Sequence, residues 1–440
     1  MSLKKKSEKT VVEINDKTKL YTVKPKQTLF SLTKELKVSK EELFKLNPEL
    51  EEGLKEGMVL KLPLETTSND SIYIEKKIIN LTDNIDKKQK RNLVILLPFN
   101  LDKINNDPSK TLKDNLKDSP LLGLSLDFYA GAMIAIDSAK VLGLPVTVKM
   151  LDVQSTRSTS NIAQLVKNND FSNVNAVIGP FQNSHVETTA QLLKAYNIPV
   201  ISPLSKEVGT KLPNLYNAVP TEEYLIRKLY HHFNENNGNI LGVISPKKTS
   251  TKIYLTKHYP ETHIVSYNDK GGVDLENLKS LLVKGKKNFV ILESETTSHI
   301  LNVTNFLKKN KEEYNIQLVV LQLYDTLDFE EIPMTNLTEL NMLFPSTKKE
   351  VESEADKIFE KKYKSQNGVA PSTSAARGFD ITFDTILRIC QEEGFAKSTE
   401  KYKTQYFENA FDYVNDNGNI INNGVFLMYY NTDYTIKQVK

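Results

Sequence analysis

Short unbroken apolar runs, separated by stretches with helical spacing, recur over most of this chain. From Arg91 onward they read NLVILLPFN, VTVKMLDV, Ala176–Ile178, Ile198–Ile201, Ile240–Ser245, His263–Tyr267, Phe289–Glu293, Leu318–Tyr324 and Leu340–Phe344. Runs of this length, rich in valine, isoleucine and leucine and bounded by Gly or Pro, predict strands buried on both faces of a parallel sheet. Between them lie amphipathic stretches. Over Ser125–Leu142, Phe128, Ala132, Ala135, Ile136 and Ala139 share one face and Gly143 stops the helix. Ser160–Asn168, a start at Thr221-Glu222-Glu223, Glu350–Ser365 and Ser372–Glu393 are further helices. Leu101–Ser119 is polar and reads as a loop, while Gly424–Tyr430 and Thr435–Val439 form a hairpin across Asn431-Thr432-Asp433.

The clearest unit is Asn175–Ser205, a right-handed β-α-β turn of chain. Gly179-Pro180-Phe181-Gln182-Asn183 leaves its first strand, and Ser184-His185-Val186-Glu187 has the S-x-x-E pattern of a capping box. Ligands of open α/β sheets sit beyond the carboxyl ends of strands. The candidate binding edge is therefore Gly179–Ser184 with Pro203–Lys206. Ser184 can cap its helix, touch a ligand, or do both. Glu187 in the first turn makes this N-terminus less welcoming to an anion.

Ahead of this pattern lie a charged, disordered tail (residues 1–18), a compact unit (19–63) and a polar linker (64–90) in which Ile72 and Ile74 alternate like an edge strand. Leu20, Tyr21 and Val23 begin a strand in the compact unit, and Thr28 caps a helix carrying Leu29, Leu32 and Leu36. Ser39 and Glu42 box a second helix that presents Leu43 and Leu46, and Met58–Leu62 returns as a strand. The order is β-α-α-β. With Tyr21-Thr22-Val23, Thr28-Leu29-Phe30-Ser31-Leu32, Leu46-Asn47-Pro48 and Gly57-Met58-Val59-Leu60-Lys61-Leu62-Pro63 in order and at the right spacing, the unit resembles the LysM family. That resemblance implies binding of N-acetylglucosamine polymers, chiefly peptidoglycan. The groove it implies is Gln27, Thr28, Leu29 and Phe30 facing Asn47, Pro48, Glu49 and Leu50. Phe30 would be the better glycan contact, and Leu29 can equally be core. A Lys24-Pro25-Lys26-Gln27 loop stands where the family has a Gly-Asp pair before the threonine, which weakens the implied glycan grip but not the fold.

Residues 91–440 resemble the type 1 periplasmic binding fold: α/β, with two doubly wound parallel sheets joined by three crossovers. The most specific stretch is Asp152–Thr221, with D-V-Q-S-T-R, V-I-G-P, I-P-V-I-S-P, L-P-N-L-Y and P-T in sequence. The resemblance implies one lobe at 91–218 and 345–395 and a second at 219–344 and 396–440, hinged over a ligand. The cleft positions it implies are Pro98, Phe99, Asn100, Asp152, Phe181, Gln182, Asn183, Ser184, Leu204, Ser205 and Lys206 in the first lobe. In the second they are Ser245, Glu293, Thr297, Tyr324 and Asp325. Leu204-Ser205-Lys206 is bulky and charged where amino-acid binders carry small residues, and Lys247–Lys252 replaces an aromatic and a glycine. Both departures argue against a zwitterionic amino acid held in the usual manner. The lysines either meet an anion or form a solvated face.

The 440 residues carry a net charge of only +3, so nothing in composition argues for nucleic acid. The only cysteine, Cys390, lies in an apolar helical pattern and reads as a core residue, leaving no intramolecular disulfide. His231 and His232 adjoin on a helix and point about 100° apart, too far for easy ligation of one ion. Asp152 reads as a turn cap or a ligand contact. No phosphate loop, H-E-x-x-H, nucleophile elbow or paired-cysteine spacing occurs, so no metal, cofactor or catalytic residue is expected. MSLKKKSEKT lacks an apolar core after its basic residues and no run reaches a membrane span, which leaves either a cytoplasmic protein or a mature chain whose export segment was removed, and the peptidoglycan binding that the LysM resemblance implies selects the second. These features lead to a non-enzymatic protein of the periplasm or cell envelope. It binds peptidoglycan through LysM and a small ligand or protein partner between its lobes, with a lipid anchor outside this chain. The alternatives are a ligand-independent lipoprotein regulator of cell-wall synthesis and, more remotely, a cell-wall hydrolase.

Overall fold

The computed structural model describes residues 18–23, 27–29, 32–33, 43–44, 46–55, 57–63, 76–105, 109–323, 327, 331–349 and 353–439. Two compact units divide the chain between Glu75 and Lys76. Phe30, Ile72, Ile74, Tyr324 and Asp325 lie outside the described residues.

In the first unit, β1 (Thr18–Thr22) pairs antiparallel with β2 (Val59–Pro63) in the register Tyr21↔Leu60. Helical residues precede a 3-10 turn at Pro48–Glu52, and Val23, Leu32, Leu43, Leu50 and Leu60 close a small core. Asn47 is fully buried. Its amide donates to Leu43 O at 2.9 Å and Lys61 O at 2.7 Å, and its Oδ1 accepts from Lys61 N at 2.6 Å. It staples the helical residues at Leu43 to β2.

The second unit is built on two sheets of seven strands each. The first contains β3 (Arg91–Leu97), β4 (Val146–Asp152), β5 (Ala176–Ile178), β6 (Val200–Ser202) and β7 (Leu215–Asn217). The second contains β8 (Asn239–Ile244), β9 (His263–Ile264), β10 (Asn288–Glu293), β11 (Ile316–Val319) and β12 (Leu343–Ser346). Three pairs of short strands follow: β13 (Thr404–Gln405) with β14 (Ala410–Phe411), β15 (Tyr413–Asp416) with β16 (Asn419–Asn422), and β17 (Phe426–Tyr430) with β18 (Ile436–Gln438). The sheet orders are β15-β16-β7-β6-β5-β3-β4 and β18-β17-β12-β11-β10-β8-β9. The apolar runs are continuous because helices cover both faces. On β3, Leu93, Ile95 and Leu97 enter one core while Val94 and Leu96 enter the other. On β10, Val290 and Leu292 oppose Phe289 and Ile291 in the same way.

Against the first sheet, helix Pro120–Val141 packs along helix Thr373–Ile389 with the backbones in contact distance. A Cβ at Gly131 would lie 1.8 Å from Ala375 O, and one at Gly378 would lie 2.2 Å from Phe128 O. The helix Pro120–Val141 is long and apolar enough to cross a membrane, yet its buried face is the core of this lobe.

Several expectations need correction. Leu101–Ser119 is not a loop: it forms helices Leu101–Asn105 and Leu112–Asp118, the latter boxed by Thr111 and Asp114. The lobe boundary at 395/396 falls too early, because β15 and β16 belong to the first sheet. Buried Arg388 fixes that segment. It pairs with Asp384 at 2.7 Å and donates to Ser398 O, Tyr402 O, Thr404 Oγ1 and Phe411 O. Asp380 adds to this by accepting the Phe407, Glu408 and Asn409 amides. The three crossovers therefore run after β7, between β12 and helix Glu354–Asn367, and between β16 and β17. The polar linker also ends earlier than expected. Ile78 bridges Lys403, Ile85 bridges Gln391 and Leu81 is buried in the first-lobe core, so residues 76–90 are a strap on that lobe.

Candidate functional site: the carboxyl edges of two sheets

Each sheet ends in loops on its carboxyl edge, and most implied cleft positions fall there. After β3 the chain turns through Pro98 and Phe99, whose ring meets Tyr129 edge-on at 6.1 Å. Asn100 adopts a left-handed conformation, φ 56°. Asp152, at the end of β4, accepts the Asn100 and Leu101 amides at 2.9 Å each, and also Gln154 Nε2. Of its two readings the structure supports the cap: the carboxylate starts a helix. Asn100 Oδ1 in turn accepts Ser155 N at 2.7 Å, and Asn161 Oδ1 accepts Gln154 N at 3.0 Å. These amides hold the loop after β4 against the loop after β3. Between them opens a pocket of about 300 Å³ lined by Asn100, Lys103, Gln154–Thr156 and Thr159–Asn161.

The turn after β5 passes through a cis Gly179-Pro180 bond, with Gly179 at φ 89°. A Cβ there would stand 2.4 Å from Leu96 O, so glycine is required. Phe181 does not face the cleft; it is buried edge-on to Phe128 at 5.2 Å. The S-x-x-E box does not form. The helix is Asn183–Leu193, Gln182 is its N-cap residue, and Ser184 is exposed inside the first turn. The helix starts two residues too soon for Ser184 to cap it. Glu187 instead accepts Asn183 Nδ2 at 2.8 Å and Thr210 Oγ1 at 2.9 Å, which folds the 203–210 loop onto this helix. Gly209 is the contact point: a Cβ there would lie 1.5 Å from Glu187 Oε1. Gln182 Oε1, Asn183 Oδ1 and Ser202 Oγ are buried without a hydrogen-bond partner on this same edge. Leu204 packs on the core, Ser205 Oγ accepts Glu207 N, and Lys206 is exposed.

In the second lobe, buried Ser245 donates its backbone amide to Glu293 O at 2.8 Å. The Glu293 side chain is 4% exposed, and its Oε1 accepts Leu321 N at 2.9 Å. Burial pushes its carboxyl up to about 7, against the amide and the Lys248 charge that lower it. Lys248 forms an ion pair with Glu295 across the two loops, while Lys247 and Lys252 are exposed. Thr297 Oγ1 donates to Glu331 at 2.8 Å.

In the first unit, Asn47 and Leu50 of the implied groove are spent on the core, Leu29 packs against that core, and Gln27 pairs with Tyr21 OH. Thr28, Pro48 and Glu49 remain exposed.

Lys103, Gln154, Ser155, Thr156, Thr159, Ser160 and Asn161 line this pocket and were not assigned by the sequence reading. The D-V-Q-S-T-R run was the available signal, a cluster of hydroxyl and amide side chains right after a strand.

No protein-family model matches the chain. No curated protein matches it either. Among solved structures, a Rhodospirillum rubrum protein assigned to branched-chain amino acid ABC transport superposes with a TM-score of 0.52 at 12% identity, covering 80% of this chain and 100% of that one. A branched-chain amino acid ABC transporter periplasmic ligand-binding protein from Burkholderia xenovorans gives 0.46 at 10% identity, covering 80% and 94%. The fold of the second unit is thus that of the two-lobed type 1 periplasmic binding proteins.

Proposed function

We propose that this chain is a non-enzymatic cell-envelope protein whose two lobes close over a small ligand, and whose first unit holds peptidoglycan. The observation that carries the clamp is the shared topology of the two sheets. Strands β7-β6-β5-β3-β4 and β12-β11-β10-β8-β9 run in matching order, so equivalent loops edge both lobes. Three crossovers at the β7/β16 and β12/β17 ends leave the other strands free to part. Gln182 Oε1, Asn183 Oδ1 and Ser202 Oγ, acceptors lacking donors, support ligand contact on this edge. For the first unit, the antiparallel β1–β2 pair and its small core support the LysM resemblance, with Thr28, Pro48 and Glu49 as the glycan-facing residues. A single such unit raises local concentration near the wall rather than gripping tightly.

A second reading, a ligand-independent regulator of cell-wall synthesis, is favoured by one observation. The 203–210 loop is closed onto the helix start through Glu187, Asn183 and Thr210, filling part of the edge with the protein's own side chains.

Small-angle X-ray scattering with and without a pooled library of amino acids and sugar acids tests the clamp. Compaction supports it, and an unchanged profile with every pool favours the regulator. Co-sedimentation with purified sacculi tests the tether: the full chain should pellet, and a chain beginning at Lys76 should not. Equal pelleting of both would remove the glycan role of the first unit.

A further inference from the structure

The pocket between the β3 and β4 loops lies at the end of the first sheet opposite the crossovers, four strands from β16. It takes in Asn100 and adjoins Asp152, two of the cleft positions that the fold resemblance implies, so assigning it a ligand rests on the reading of the lobes as a ligand clamp and names the ligand class of its first-lobe end. Its walls are fixed by the Asn100–Ser155 and Asn161–Gln154 bonds. A tight turn adds Thr156 N to Thr159 O at 2.8 Å, and His185 Nε2 bonds Thr156 O at 3.0 Å. The stapling uses only one end of each amide. Asn100 Nδ2, Asn161 Nδ2 and Gln154 Oε1 make no hydrogen bond within the described residues, nor do the Ser155 and Ser160 hydroxyls. The lining holds one charged side chain, Lys103, and no large apolar one. Asp152 lies behind the loops, with both oxygens taken by N–H donors.

We propose that this pocket binds a small hydroxylated acid. The carboxylate or phosphate meets Lys103, and the hydroxyl oxygens meet the free amides and hydroxyls around it. The free amides and hydroxyls give hydrogen-bond partners to several oxygens, and no aliphatic or aromatic side chain lines the pocket. The second lobe agrees in sign. Its β8 is the counterpart of β3 in strand order, and the loop after it exposes Lys247, while Lys248 is paired with Glu295.

Isothermal titration of the full chain with D-glucuronate, D-glucose 6-phosphate and D-glucose tests the assignment. At least one charged probe should bind and glucose should bind far more weakly, and the better of the two acids identifies the anionic group. Lys103→Gln, at an exposed position, should weaken the charged probe about tenfold, the size of one charge-assisted hydrogen bond, while Lys103→Arg retains it. Failure of all probes to bind at millimolar concentration overturns the site, as does glucose binding equal to glucuronate. Binding that ignores Lys103→Gln also overturns it and places the ligand elsewhere. The site belongs to the first lobe alone, so any of these failures leaves the scattering test of closure standing.

Discussion

Lys76 Nζ lies 3.4 Å from Asp412 Oδ1, with the two side chains 15% and 0% exposed. Lys76 also donates to Thr399 O at 2.8 Å and to Tyr413 O, so the first residue of the strap is anchored beside the third crossover. Burial acts against both charges, pushing Asp412 up to about 7 and Lys76 down to about 8.

Both Asp412 oxygens are buried, and Lys76 is the cation paired with this carboxyl. Lys76→Met should destabilise the second unit by about 1–3 kcal/mol in urea unfolding at pH 7, because a carboxyl held near 7 can take up a proton once its partner is gone. Adding Asp412→Asn should recover most of that loss. An undiminished loss in the double variant would show that the strap acts through its backbone instead.

Asn422 brackets two crossovers. Its Nδ2 donates to Ala218 O and Ala410 O, and its Oδ1 accepts the Asp412 and Gly424 amides, all at 2.8 Å. Asn422→Ala leaves these buried backbone groups unpaired and should cost on the order of 3 kcal/mol. Hydrogen exchange should quicken at 216–219 and 422–426, with β10 and the helix Thr297–Tyr314 unchanged.

Glu293 gives the second lobe a pH dependence of known sign. Its folded value of about 7 lies above the ordinary 4.5, so the native state holds its proton more tightly than the unfolded chain. The stability it contributes is complete below about pH 4.5 and is lost as pH rises toward 7 and beyond. Asp380, pushed by burial to about 6, adds a term of the same sign in the first lobe. Glu293→Gln, which keeps an acceptor for Leu321 N, should raise the melting temperature at pH 8 by a few degrees and change it little at pH 4. Equal effects at both pH values would mean the carboxyl is not the titrating group.

Gly131 and Gly378 allow the two long helices of the first lobe to touch. Gly131→Ala should cost more than about 3 kcal/mol, since the added methyl meets backbone that cannot swing away. Near-native stability of Gly131→Ala would require the helices to sit farther apart than described.

The apolar periodicity by itself determined that residues beyond Arg91 form parallel sheets covered on both faces. A strand such as NLVILL has no polar side to expose and can satisfy that pattern only between two helical layers. The hairpin at the carboxyl end was legible for the same local reasons. Tertiary structure alone decided which lobe owns β15 and β16. YVND and NIIN are short and mixed, and the residues that claim them, Asp384, Arg388 and Asn422, act across gaps in sequence. It decided that Phe181 fills a core and that Gln182 rather than Ser184 begins its helix, because a Gly-Pro turn reset the register. The Lys103 pocket was likewise hidden: its walls lie about fifty positions apart and meet only once β3 and β4 pair side by side.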